Sequence, residues 1–226
     1  VASVQITPTR PLFVAATANS GLPVSFSVAS GPGSISGDIN LTFTGAGSVT
    51  VVASHPGVAD WLPASATNLI AVTKVTASVT LNNLNQTYDG TPRVVTATTV
   101  PVGLTVDMTY NGSGTAPTAA GSYAVTGTVN DAIYAGANTG TLTVSKENQS
   151  ITFPALQPRL TNAVVAFGAT ASSGLPVTEF AVVSGPGLVS GTNLTFSGTG
   201  DVLVEARQSG DGNWNAATAV TNLIKA

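Results

Sequence analysis

Ser20 to Gly33 reads SGLPVSFSVASGPG, and Ser173 to Gly187 reads SGLPVTEFAVVSGPG. Chance does not produce a match of this length, so the chain carries an internal repeat that sets its organisation. The likeness continues outward: NLTFTGAGSVTV from Asn40 returns as NLTFSGTGDVLV from Asn193, Trp61 returns as Trp214, and TNLI at Thr67 returns at Thr221. One extra residue before the second SGPG and one fewer after it cancel, as a one-residue bulge or a loop adjustment would produce. Between the copies, a segment from about Val75 to Lys146 resembles neither closely. The expected division is three modules, 1–74, 75–147 and 148–226.

Each module has the two-residue period of half-buried strands. Val49, Val51 and Ala53 alternate with Thr50, Val52 and Ser54, and Val202, Val204 and Ala206 alternate with Leu203, Glu205 and Arg207. In the middle segment Val106, Met108 and Tyr110 alternate with Asp107 and Thr109, and Leu142 and Val144 alternate with Thr143 and Ser145. The punctuation is that of turns: Gly-Pro-Gly at Gly31 and Gly185, Asp-Gly at Asp89 and Asp211, Asn-Gly at Asn111. No window carries a helical stripe. Short strands separated by such turns predict an all-β chain of two-sheet sandwiches, with about six or seven strands per module. The boundaries TKVT (Thr73–Thr76) and KENQ (Lys146–Gln149) are brief and free of Gly or Pro, so the modules are expected to form an elongated array with little bending.

Composition narrows the function classes. Only 8% of residues are charged, so Thr, Ser, Asn and Gly must cover the surface. The net charge is −3 and the seven Lys and Arg are scattered, which leaves no basic patch for nucleic acid or an anionic membrane. Every apolar run is broken well before the roughly 18 residues of a membrane helix. The absence of cysteine removes disulfides, thiolate metal sites and thiol nucleophiles. The chain opens at Val1 with no charged-then-apolar leader, which reads as an internal stretch of a longer protein.

Two resemblances follow from the motifs. Gln149–Phe153, Ala169–Val177, Ser184–Pro186, Asn193–Phe196, Gly198–Ala206 and Gly212–Ala217 resemble the immunoglobulin-like repeat of large bacterial surface proteins. The first copy carries the same pattern but departs at its start, where VQITPTRPLFV (Val4–Val14) is shorter, so its first strand is expected to be truncated or differently placed. NQTYDGTPRVVTATTVP (Asn85–Pro101) and GTAPTAAGSYAVTGTV (Gly114–Val129) resemble the MBG domains of bacterial surface proteins. The resemblances imply tandem immunoglobulin-like sandwiches in a secreted or surface-attached, adhesin-like protein, and no catalytic residues.

The constellations that could carry chemistry point the same way. His55, the one histidine, has no second histidine to pair with and sits before a proline, so it is expected to be an exposed loop residue. The ten carboxylates are spread singly, with no pair placed to flank a glycosidic bond. Asp211, Gly212, Asn213 and Asn215 could offer oxygens to calcium, but an Asx turn is the preferred reading. Trp61 and Trp214 are expected to cap the core or pack on the next module more than to stack on a sugar. Lys74, Lys146 and Lys225 fall at module ends and read as hinge lysines. No catalytic, cofactor or metal residue is assigned. The expected function is a non-catalytic stalk or spacer on a bacterial surface, its partners being neighbouring modules of the same chain. The alternatives are a fibre subunit that joins copies of itself by edge-strand addition and a module that binds a surface glycan or host protein.

Overall fold

The computed structural model describes residues 2–5 and 11–225, and among these none is helical. The first repeat supplies β1 (Ala2–Gln5), β2 (Leu12–Phe13), β3 (Ser25–Ser30), β4 (Gly33–Ser36), β5 (Asn40–Phe43), β6 (Gly47–His55) and β7 (Ala64–Thr73). The middle segment supplies β8 (Val75–Thr76), β9 (Ser78–Asn82), β10 (Asn85–Thr87), β11 (Thr96–Val100), β12 (Val106–Tyr110), β13 (Gly121–Val129), β14 (Tyr134–Ala135) and β15 (Ala137–Ser145). The second repeat supplies β16 (Ile151–Thr152), β17 (Val164–Ala166), β18 (Thr170–Ala171), β19 (Glu179–Ser184), β20 (Gly187–Ser190), β21 (Asn193–Phe196), β22 (Asp201–Arg207) and β23 (Val220–Lys225). These strands gather into two compact units, Val1–Asn82 with Val95–Thr115 and Ala124–Gly140, and Asn83–Val94 with Ala116–Tyr123 and Thr141–Ala226.

In the first unit, the first repeat forms one sheet in the order β1-β7-β6-β3 and another in the order β2-β5-β4. Second, fifth and fourth strands in one layer and third, sixth and seventh in the other is the immunoglobulin-like arrangement, so the strand order itself gives the fold. The alternation read from the sequence decides what is buried: Val49 is wholly enclosed and Val51 nearly so, against Leu41, Ile70 and Val72. From the middle segment the same unit holds the antiparallel pairs β9–β11 and β12–β13 and the short parallel pair β8–β14. Asn111 and Gly112 both take positive φ between Tyr110 and Ser113, as the Asn-Gly signal requires.

In the second unit, the second repeat forms the sheets β17-β21-β20 and β19-β22-β23, with β16 laid antiparallel along β18. Leu194, Val202, Val204, Ala206 and Ile224 are fully buried, and Phe153, Phe167 and Phe180 meet within the same core. The parallel pair β10–β15 belongs to this unit.

The repeated Gly-Pro-Gly has one cause in both copies. Gly31 and Gly185 lie at φ of +96° and +95°, and a Cβ on either would stand 2.1 Å from the carbonyl oxygen of Ser48 or Asp201. The register of β3 on β6 slips between Val28 and Ser30, and that of β19 on β22 between Val182 and Ser184. Because the bulge is common to both copies, it does not account for the extra residue. Phe26 pairs with Ala53 and Phe180 with Ala206, so the insertion lies ahead of β19, in the loop at Val177–Thr178.

Candidate functional site

The structure concentrates its polar, non-ladder hydrogen bonds where the middle segment runs into the second repeat, within the second unit. Lys146 Nζ donates to the Asp211 carbonyl at 2.6 Å. The Glu147 N–H donates to the Asn213 carbonyl and the Glu147 carbonyl accepts from the Asn215 N–H, at 2.9 and 2.8 Å. From the other side, the Ala120 N–H donates to Asn213 Oδ1 at 2.9 Å, and the Tyr88 ring meets the Trp214 ring edge-on at 5.8 Å between centroids. The loop that receives these contacts is shaped by Asp211, whose Oδ1 accepts the N–H groups of Asn213 and Trp214 at 2.7 and 2.8 Å. That is an Asx turn, with both N–H groups on the one oxygen. Among the described residues no three His, Cys, Asp or Glu side chains gather as a metal site.

From the loop, the chain enters the second repeat through Gln149, which is nearly buried and uses its whole amide. Its Nε2 donates to the Asn215 carbonyl and Gln208 Oε1, and its Oε1 accepts from the Ser173 hydroxyl. Two and four residues on, Ile151 and Phe153 point into the core, where Phe153 meets Phe167 and Phe180 at 5.8 and 5.7 Å. Sequence reasoning quoted Gln149–Phe153 only as part of a motif. The signal was the polar residue heading an apolar alternation, which marks a buried amide once the strand is placed.

The junction ahead of the middle segment, within the first unit, is built on the same plan. Lys74 Nζ donates to the Asp131 carbonyl at 2.5 Å, and Asp131 Oδ1 accepts the N–H groups of Ile133 and Tyr134. Those two N–H bonds, Tyr134 first, with Lys74 close by, hold the Asp131 carboxyl below its ordinary range. Val75 and Ala77 donate to the carbonyls of Ile133 and Ala135, and Ile133 packs on the core of the first repeat. Lys74 and Lys146 are therefore staples onto a neighbouring loop and not free hinges.

Two further expectations change. His55 is 7% exposed as the last residue of β6, and its Nδ1 accepts the Gly57 N–H at 2.9 Å, because the chain beyond Pro56 turns back onto it. Trp61 is 46% exposed, and it forms a bridge with Val58 in a tight turn where Trp214 has Tyr88. Asp89 forms a further polar feature: it accepts from the Thr91 N–H and hydroxyl and pairs with Arg93, and Arg93 before Thr91 holds its carboxyl far below the ordinary range. The Ile6–Arg10 part of the shortened opening lies outside the described residues.

Residues 77–148 match the family model of the MBG domain. Tyr88, Asp89 and the staple at Lys146 thus fall inside an MBG domain match, and Trp214 lies beyond it. No curated protein matches the chain. Among solved structures, Drosophila N-cadherin EC1-3 is similar at 10% identity over 99% of this chain and 97% of that one, with a TM-score of 0.32. The N-terminal eight Ig domains of Down Syndrome Cell Adhesion Molecule give 12% identity, 99% and 34% coverage and a TM-score of 0.34. The S-layer protein rSbsC gives 13%, 92% and 35%, and 0.27.

Proposed function

We infer that this chain is a non-catalytic spacer of an extracellular, bacterial surface or adhesin-like repeat protein, built from modules 1–74, 75–147 and 148–226. The observation that carries the reading is the construction of the junctions. At each, a lysine ammonium, an Asx turn and backbone bonds tie the linker to the loop beside it. Linkers tied down in this way suit a protein that holds a distance between its ends. The MBG domain match over residues 77–148 and the hydroxyl-rich, nearly uncharged composition support an extracellular setting.

Pulling the chain by its two ends tests the reading. Three unfolding steps, each lengthening the chain by up to roughly 260 Å, are expected. Two steps matching the two compact units would reject the three-module division, and saturable binding of a glycan or host protein would reject the pure spacer.

A further inference from the structure

The middle segment leaves one strand edge bare between strands that are all present. β9 and β11 form a layer of two strands, because β12 and β13 are joined by Asn111–Ala120, in which no strand forms. The far side of β9 is covered: the Ala77 N–H donates to the Ala135 carbonyl and the Val79 carbonyl accepts from Asn138 Nδ2, both at 2.8 Å. Residues of an antiparallel strand turn their N–H and C=O alternately to the two sides. Ser78, Thr80 and Asn82 therefore face β11, and their partners Val100, Thr98 and Thr96 face β9. Ala97 and Thr99 are left with their backbone groups turned away from β9, on the side where the Val95 N–H meets the Tyr110 hydroxyl. No strand among the described residues pairs with β11 there.

Edge strands are ordinarily kept from pairing with other chains by a charge or a bulge. Of the other edge strands of five residues or more among the described residues, β9 is covered, β3 and β19 are broken by bulges, β12 carries Asp107 and β23 carries Lys225. β11 has neither device. Its register on β9 is unbroken, and no charged residue stands between Arg93 and Asp107.

The strand is also complementary to itself. Laid antiparallel across a two-fold axis at Thr98, it sets Ala97 opposite Thr99 of the second copy, and these are the residues whose N–H and C=O face outward, so each such pair can exchange both its bonds. A register one residue off would set outward groups against inward ones. The axis brings the two Thr98 side chains together on the exposed face, flanked by Thr96 opposite Val100, with no like charges to oppose. We propose that β11 pairs antiparallel with β11 of a second copy of this chain, joining two layers into one sheet in the order β9-β11-β11-β9. The contact closes on itself, so it couples two copies side by side and does not run on into a filament.

Sedimentation velocity of the full chain from roughly 10 μM to 1 mM tests the association, since a contact this small belongs to the weak class. A dimer that grows with concentration is expected; a monomer at the highest concentration would overturn the proposal and leave the edge to a strand of another protein. Thr98→Lys, checked for an intact fold by circular dichroism, sets two like charges at the axis and should lower the association constant at least tenfold. The chain has no cysteine, so a single one reports the register. Thr98→Cys, oxidised by glutathione disulfide, should form a covalent dimer at least tenfold faster than Thr96→Cys, because directly opposed residues of this kind stand within disulfide reach. An equal mixture of Thr96→Cys and Val100→Cys should crosslink where either alone does not. Dimerisation indifferent to Thr98→Lys, or crosslinking no faster at position 98 than at 96, would assign the dimer to another face and overturn the proposal. None of these outcomes alters the pulling result that tests the spacer.

Discussion

Gln149 is, with His55 and Thr99, one of the few buried polar side chains among the described residues, and it is held by three partners from two loops. Gln149→Leu keeps the bulk but leaves the Asn215 carbonyl and the Ser173 hydroxyl without this partner. It should cost about 1–3 kcal/mol, read as a lower urea midpoint for the second unit. Tyr110 makes the same kind of contribution in the first unit, where its buried hydroxyl accepts the Val95 N–H at 2.9 Å. At acid pH the carboxyls of Asp89 and Asp131 matter, since both sit below their unfolded values. A depressed carboxyl contributes stability above its unfolded value, and that contribution is lost as pH falls through the folded one. The melting temperature is therefore expected to fall from about pH 4 downward. Asp131→Asn should make that fall shallower; an unchanged slope would remove Asp131 from the explanation.

At the scale of elements, the tight turn at Gly-Pro-Gly is what lets the chain leave β3 with its backbone close against β6, and leave β19 close against β22. Gly185→Ala forces both a left-handed φ and a clash with the Asp201 carbonyl, so the second repeat should lose more than about 2 kcal/mol or fail to fold. Gly212→Ala meets no atom within 4 Å and has no positive φ, so it should stay within about 0.5 kcal/mol of the parent in the same denaturation experiment. The alternation of apolar residues made β6 and β22 legible in the sequence. The bulges at Ser30 and Ser184 were not, because a bulge is defined by the pairing partner and not by the bulged strand's own residues.

For the molecule as a whole, the junction at Lys146 is the place where one change reports on two elements. Trp214→Ala removes the edge-on contact with Tyr88 and loosens the loop whose carbonyl holds Lys146. An aromatic pair of this kind is worth about 0.5–1.5 kcal/mol beyond its buried area. Trypsin should cut after Lys146 several-fold faster in the variant, while the far-ultraviolet spectrum stays that of the parent. An unchanged cleavage rate would mean that the backbone bonds of Glu147 carry the junction alone.

By itself the sequence determined that the chain is all-β, that one stretch of it returns as a second copy, and which side chains of β6 and β22 face inward. Those properties depend on local periodicity, turn chemistry and self-similarity. Only the tertiary structure decided that His55 is buried, that Lys74 and Lys146 are bonded, and that Gln149 is enclosed with its whole amide bonded. Each of those depends on which segment lies alongside: Gly57 turns back on His55, Asp131 and Asp211 offer carbonyls to lysines far away in the chain, and Ser173, Gln208 and Asn215 close around the Gln149 amide. Proximity across such separations is fixed by packing, and no spacing within the sequence encodes it.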